Sequence, residues 1–209
     1  YVTQGFICTD CEGNLDNLGR GGSDYSAALM GEAIGANEVQ IWTDIDGMHN
    51  NDPRYVDKTF PIRHMSFDEA AELAYFGAKI LHPATIQPCK DHGIPVRLKN
   101  TMDARAEGTL ITSSGEATSD FCAVAAKDNI TVIRIYSTRM LMAYGFLRMV
   151  FEIFERHKTS IDMITTSEVA ISLTVDNEEH LEEIERELAA LGTIEVEKDN
   201  TIVCVVGRM

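Results

Sequence analysis

Leu18-Gly19-Arg20-Gly21-Gly22-Ser23-Asp24-Tyr25-Ser26 is a glycine-rich turn with a cation inside it, opening onto an apolar-periodic segment. Thr43-Asp44-Ile45-Asp46-Gly47, continuing to Asp52-Pro53-Arg54, is an acidic, glycine-containing loop that leaves a short apolar strand at 39–42. In the first stretch, glycines let backbone approach a ligand, and the amides of the following helix N-terminus favour an anion. Arg20 can grip a carboxylate or phosphate as a bidentate fork. Ser23 and Asp24 add a hydroxyl and a carboxylate at the same turn. The second stretch suits the carboxyl end of a parallel strand, where open α/β sheets bind ligands. Asp44 can accept from a ribose or adenine group, and Arg54 can meet phosphate. The plainer alternatives are a tight turn with an N-cap, and a solvated loop stopped by Pro53. The residues alone leave both open.

Outward from these turns the first half alternates strand and helix. A strand is expected at 2–8 and a polar loop at 9–22. A helix capped by Ser23 or Asp24 should run to about Ala36, on a face of Ala27, Ala28, Leu29 and Ile34. Ser66-Phe67-Asp68-Glu69 is a capping box and predicts a helix to about Phe76. A second helical piece is expected at 83–92, stopped by Gly93, and a strand at 95–98. Alternation of this kind predicts an α/β fold with a mainly parallel, helix-covered sheet. Gly77 breaks the helical pattern, and Lys79 just beyond it can place a point charge on a phosphate or complement a helix C-terminus.

The polar stretch 105–120 lacks a period and reads as a join. Beyond it the order is βαββαβ, a ferredoxin-like pattern. It comprises a strand at 130–136, a helix at 145–157 with Phe146, Leu147, Val150, Phe151 and Phe154 on one face, and a strand at 160–164. A strictly alternating strand follows through Val169, Ile171, Leu173 and Val175. Next come a helix striped by Leu181, Ile184, Leu188 and Leu191 and ended by Gly192, and one strand or a hairpin at 193–206.

The chain has 209 residues, room for one large or two small domains. A net charge of -15 argues against a nucleic-acid surface, which needs clustered Lys and Arg. No apolar run is long enough to span a bilayer, and no signal peptide is legible, so no membrane partner is expected. Five cysteines, an odd number, suggest reduced thiols and a cytoplasmic setting. Cys8 and Cys11 form a lone C-x-x-C with no second pair at zinc-site spacing, so no metal site is assigned.

LGRGGSDYSA at 18–27, IWTDIDG at 41–47 with DPR at 52–54, SFDEAAELAYFGAKILHPATIQP at 66–88 and MITTSEVAISLTVD at 163–176 occur in this order. Together they resemble the aspartokinases of the amino acid kinase family, most closely the lysine-sensitive, monofunctional type. The resemblance implies transfer of the ATP γ-phosphate to the β-carboxylate of L-aspartate, with Mg²⁺. It would place Arg20, Ser23 and Asp24 on aspartate, and Thr43, Asp44, Arg54 and Lys79 on ATP. It implies the nucleotide-side part of the kinase domain at 1–110, a linker at 111–128 and an ACT regulatory domain at 129–209. Matching effector positions are Met140, Gly145, Phe146, Leu147, Ser160, Ile161, Asp162, Thr166, Ser167 and Glu168. Asp162 and Glu168 would pair with the two ammonium groups of L-lysine, at an interface between ACT domains of a homodimer or larger homo-oligomer. The family's Lys-Phe-Gly-Gly motif and a second ACT domain are missing, so the natural protein is expected to extend further and this piece to be inactive alone. Other departures are His49, where an aromatic residue is usual, Asn50-Asn51 beside it, and Ala143, where Ser is common. The rival readings are a bifunctional aspartokinase–homoserine dehydrogenase, another amino acid kinase such as a glutamate 5-kinase, and a non-catalytic amino-acid-binding chain.

Overall fold

Ser66 and Glu69 fold back on each other as their spacing predicts. Ser66 Oγ accepts from the Glu69 amide at 3.1 Å, and a Glu69 carboxylate oxygen accepts from the Ser66 amide at 2.8 Å. The pair starts a helix, Phe67–Phe76, that buries Phe67, Ala70, Leu73 and Ala74. In the computed structural model, residues 1–19, 21–53, 55–76, 81, 86–114, 121–140 and 144–207 are described. They divide into two units, Tyr1–Ala126 with Val203–Met209, and Lys127–Ile202.

The first unit contains β1 (Ile7–Thr9), β2 (Leu15–Asn17), α1 (Gly22–Ala33), β3 (Val39–Thr43), β4 (His64–Ser66), α2 (Phe67–Phe76), α3 (Gln87–Asp91), β5 (Val96–Asn100) and β6 (Thr109–Thr112). β1 and β2 pair as an antiparallel hairpin. The main sheet has the order β3-β5-β6-β4. β3 runs parallel to β5 and β4 parallel to β6, while β5 and β6 are antiparallel. Val39, Ile41, Val96, Leu98, Ile111 and Met65 fill its core with the buried face of α2.

Several local expectations shift in this unit. The strand expected at 2–8 begins only at Ile7, because Gly5 and Phe6 both take positive φ and turn the chain. A strand also forms inside the loop expected at 9–22. Gly21, in the left-handed region, rather than Ser23 or Asp24, occupies the N-cap of α1. Leu29 and Ile34 face solvent, while Gly22, Ala28 and Gly31 are buried, since α1 approaches its sheet through small residues. Of the helical piece expected at 83–92, the described part is Gln87–Asp91; residues 83–85 lie outside the described set. β6 lies within the stretch read as an aperiodic join. It is only four residues long, and its buried side chains are Thr109 and Ile111.

The second unit holds β7 (Phe121–Tyr136) from Lys127 onward, α4 (Phe146–Arg156), β8 (Met163–Thr166), β9 (Ala170–Val175), α5 (Leu181–Leu188) and β10 (Thr193–Gly207) as far as Ile202. Its βαββαβ order and strand arrangement β10-β7-β9-β8 are ferredoxin-like. Phe146, Val150, Ile153 and Phe154 of α4 and Leu181, Ile184 and Leu188 of α5 pack with Ile171, Leu173 and Val175 of β9. Leu147 and Phe151, expected on the buried face of α4, are partly exposed, and Ile153 is buried instead. β8 starts at Met163 rather than Ser160, and the 193–207 segment is one strand. Gly192 does not end α5 as a left-handed cap: the C-cap is Ala189. A Cβ on Gly192 would lie 2.3 Å from the carbonyl oxygen of Tyr136, so glycine is demanded by backbone approach.

Candidate functional site

α1 ends at Ala33 and β3 begins at Val39, so the helix must run back along the strand. Gly31, near the helix C-terminus, lies against the first residue of β3: a Cβ there would be 2.3 Å from Val39 Cγ2. Twelve helical residues and five strand residues have matching lengths, each roughly 17 Å. The N-terminus of α1 therefore lies at the carboxyl edge of β3, the same edge that carries Thr43 and Asp44. This is the edge at which α/β sheets hold ligands.

At that edge the first turn of α1 has no side-chain cap. The turn is held from outside. Asn17 Oδ1 accepts from the Gly19 amide at 3.0 Å, the Gly22 amide donates to Gly19 O at 3.0 Å, and Ser26 Oγ accepts from the Phe6 amide at 3.1 Å. Ser23 Oγ stands 3.4 Å from Asp24 Oδ1. Thr43 Oγ1 donates to Asp44 Oδ1 at 3.1 Å, and Thr43 O accepts from the Thr101 amide at 2.7 Å. The antiparallel run of α1 along β3 thus sets Ser23 and Asp24 towards the end of β3 that carries Thr43 and Asp44. Arg20, Arg54 and Lys79 lie outside the described residues.

The loop after Asp44 is closed at its neck. Ile62 N donates to Met48 O at 2.7 Å, and Asn50 N to Phe60 O at 3.0 Å. His49 joins the two sides, with Nε2 2.7 Å from Asp46 Oδ1 and Nδ1 2.7 Å from Thr59 Oγ1. Beneath it, the buried Thr109 hydroxyl accepts from the Met48 amide and donates to Ile62 O. Gly47, at φ 128°, lets the loop lie against Thr109. His49 stood out in the sequence only as a departure from the resembled pattern. Nothing in the sequence marked Thr109, which sits in a polar stretch far from the loop. Among the described residues, no group of three or more His, Cys, Asp or Glu is placed to hold a metal ion, and no helix is long and apolar enough to cross a membrane.

In the second unit the sequence-selected effector positions form two groups. Met140 closes a 3-10 turn (Thr138–Met140) after β7, and Gly145, in the left-handed region, caps α4 ahead of buried Phe146 and half-exposed Leu147. Thr166, Ser167 and Glu168 lie at the same end, where Ser167 N donates to Ala170 O at 2.8 Å and Ser137 N to Val169 O at 2.9 Å. Ser160, Ile161 and Asp162 lie at the other end of β8, four strand residues away, about 13 Å at ~3.3 Å per residue. β8 is the edge strand and is exposed along its length. The Asp162 carboxylate is fully shielded and paired with Lys127, Nζ to Oδ1 3.1 Å; Lys127 also meets Asp176 Oδ2 at 2.8 Å. Burial pulls the Lys127 pKa down, but its hydrogen bonds to Asp176 and Asp162 outweigh that, so the ammonium is held above its ordinary value. Lys127 was not singled out from sequence: its partner is 35 residues away.

Residues 1–100 match the amino acid kinase family. The lysine-sensitive aspartokinase 3 of Escherichia coli strain K12 is 44% identical over 99% of this chain and 48% of its own length. The crystal structure of E. coli aspartokinase III with lysine and aspartate, a T state, aligns with a TM-score of 0.80 at 44% identity, over 97% of this chain and 47% of that one. The R-state structure of the same enzyme with aspartate and ADP aligns at 0.84, with the same identity and coverage. The chain therefore spans about half the length of these relatives. With the amino acid kinase family match on residues 1–100 and 44% identity to one enzyme running through both units, this chain is similar to the aspartokinases along nearly its whole length.

Proposed function

We infer that this chain is the nucleotide-side part of an aspartokinase catalytic domain, followed by an ACT-type amino-acid-sensing domain. The reaction is transfer of the ATP γ-phosphate to the β-carboxylate of L-aspartate, giving 4-phospho-L-aspartate for lysine, threonine and methionine synthesis. The reading is supported by the α1 start at Gly22–Asp24 and by Thr43–Asp44, which the lengths of α1 and β3 set at the same end of β3. Phosphoryl transfer needs alignment and charge neutralisation more than covalent help from the protein. An uncapped helix start with Ser23, Asp24 and Arg20 suits a dicarboxylate amino acid, and Arg54 and Lys79 are the cations for the phosphates. Mg²⁺ would arrive on the triphosphate, whose oxygens supply ligands that the described residues do not gather. The setting proposed is cytoplasmic.

The effector reading is L-lysine at the second unit. E. coli aspartokinase III was crystallised with lysine. The two groups of effector positions are too far apart to close one small site within a copy. Antiparallel approach of two exposed β8 edges would set 160–162 of one copy beside 166–168 of the other. The effector site is thus proposed to be shared by a homodimer.

The test is hydroxylamine trapping of acyl phosphate with ATP and L-aspartate. The 209 residues contain no Lys-Phe-Gly-Gly sequence, and they are expected to bind ADP in calorimetry while giving no hydroxamate. Absence of nucleotide binding would count against the kinase-edge reading.

A further inference from the structure

Lys127 bridges Asp162 and Asp176 in the second unit, and of these the effector reading uses only Asp162. The Asp162 side chain is 0% exposed and the Asp176 side chain 43%, with the Lys127 ammonium between them. A carboxylate shut away from water needs a cation to remain charged at modest cost. Lys127 supplies one, and it is a primary ammonium on a flexible four-carbon stem. L-Lysine would bring the same chemical group to the same carboxylate. Two ammonium groups compete for Asp162, and one of them is already tethered there.

We propose that Lys127 is a built-in occupant of the effector-ammonium site, and that an amino-acid effector binds Asp162 by displacing Lys127 onto Asp176. Asp176 is already in contact at 2.8 Å, so the displaced ammonium keeps a partner. The effector's ammonium then faces Asp162 while the Lys127 ammonium stays on Asp176. Lys127 therefore weakens effector binding and Asp176 strengthens it, although neither needs to touch the effector. This rests on the reading of Asp162 as an effector contact.

The test is calorimetric titration of the 209-residue chain with L-lysine, using the unaltered protein, Lys127→Met, Lys127→Arg and Asp176→Asn, each checked for a cooperative thermal transition. Lys127→Met should tighten lysine binding about tenfold, Asp176→Asn should weaken it by a similar factor, and Lys127→Arg should not tighten it. A merely structural ion cluster would not give opposite signs. Folded Lys127→Met with unchanged or weaker binding overturns the proposal and leaves the effector reading standing. If Lys127→Met does not fold, Asp176→Asn decides: weaker binding supports the displacement and unchanged binding overturns it. No binding in any of the proteins overturns the proposal together with the effector reading.

Discussion

The hydroxyl of Thr109 accepts the amide hydrogen of Met48 at 2.8 Å, linking residues 61 positions apart. The same hydroxyl donates to Ile62 O at 2.6 Å, so one buried side chain closes the neck of the loop that follows Asp44. Thr109→Val keeps the shape and removes both hydrogen bonds. It should cost about 1–3 kcal/mol, because it strands a buried amide. Thr109→Ser should recover most of the loss. Urea denaturation of the three proteins measures this, and ADP titration should show the valine variant binding more weakly.

Gly192 occupies a place where backbone leaves no room. A Cβ would lie 2.3 Å from Tyr136 O and 3.0 Å from Ser137 Cβ. Gly192→Ala must push α5 and β10 away from the end of β7, at a cost of roughly 1–3 kcal/mol. The thermal transition of the second unit should fall, while Gly35→Ala, a glycine with nothing near it, should show only its own backbone strain.

Glu187 ties α5 to the end of α4, with Oε1 2.9 Å from His157 Nε2 and Oε2 2.9 Å from the Arg156 guanidinium. The His157 hydrogen bond, aided by the charges of Arg156, His157 and Arg186, holds its carboxyl below the ordinary value of 4.5. A depressed folded-state pKa gives stability that is present above the unfolded value and lost as pH falls through the folded one. Melting temperature should decline below about pH 4.5, and Glu187→Gln should flatten that decline. An identical acid profile in the variant would contradict the assignment.

Cys89 is fully buried, and its thiol lies 4.0 Å from Ala28 O, where α3 meets α1. Burial, reinforced by the negative charge of Glu32, pushes its pKa up to about 11 from 9.0. A raised thiol pKa gives stability that is complete below the unfolded value and lost as pH climbs towards the folded one. Two effects should follow: weakening between pH 9 and 11 that Cys89→Ala reduces, and very slow labelling of Cys89 by iodoacetamide at pH 8. Exposed Cys11 should label at once, and peptide mass mapping distinguishes the two.

Periodic and local signals carried most of the fold. The alternation of Ile171, Leu173 and Val175, the stripe of Leu181, Ile184 and Leu188, and the Ser66–Glu69 box each depend on neighbours within one turn or one strand, so sequence spacing reveals them. The α1 face was legible only in part: Ala28 is buried as expected, but Leu29 and Ile34 are exposed and the helix packs through Gly22 and Gly31, which hydropathy does not distinguish. β6 was missed because a four-residue strand in a polar stretch has no measurable period. At the sites, the glycine-rich turn and the Thr43–Asp44 edge were legible as motifs. Thr109, the Asp46–His49–Thr59 bridge and Lys127 were not, since their meaning lies in partners that only the folded chain brings within reach.

Calorimetric titration of this chain with L-lysine, with L-threonine as the control, tests the functional reading most directly. Saturable binding of lysine with no binding of threonine is the predicted result. Saturable binding of threonine alone would contradict the lysine-sensitive reading and favour a threonine-regulated or bifunctional aspartokinase.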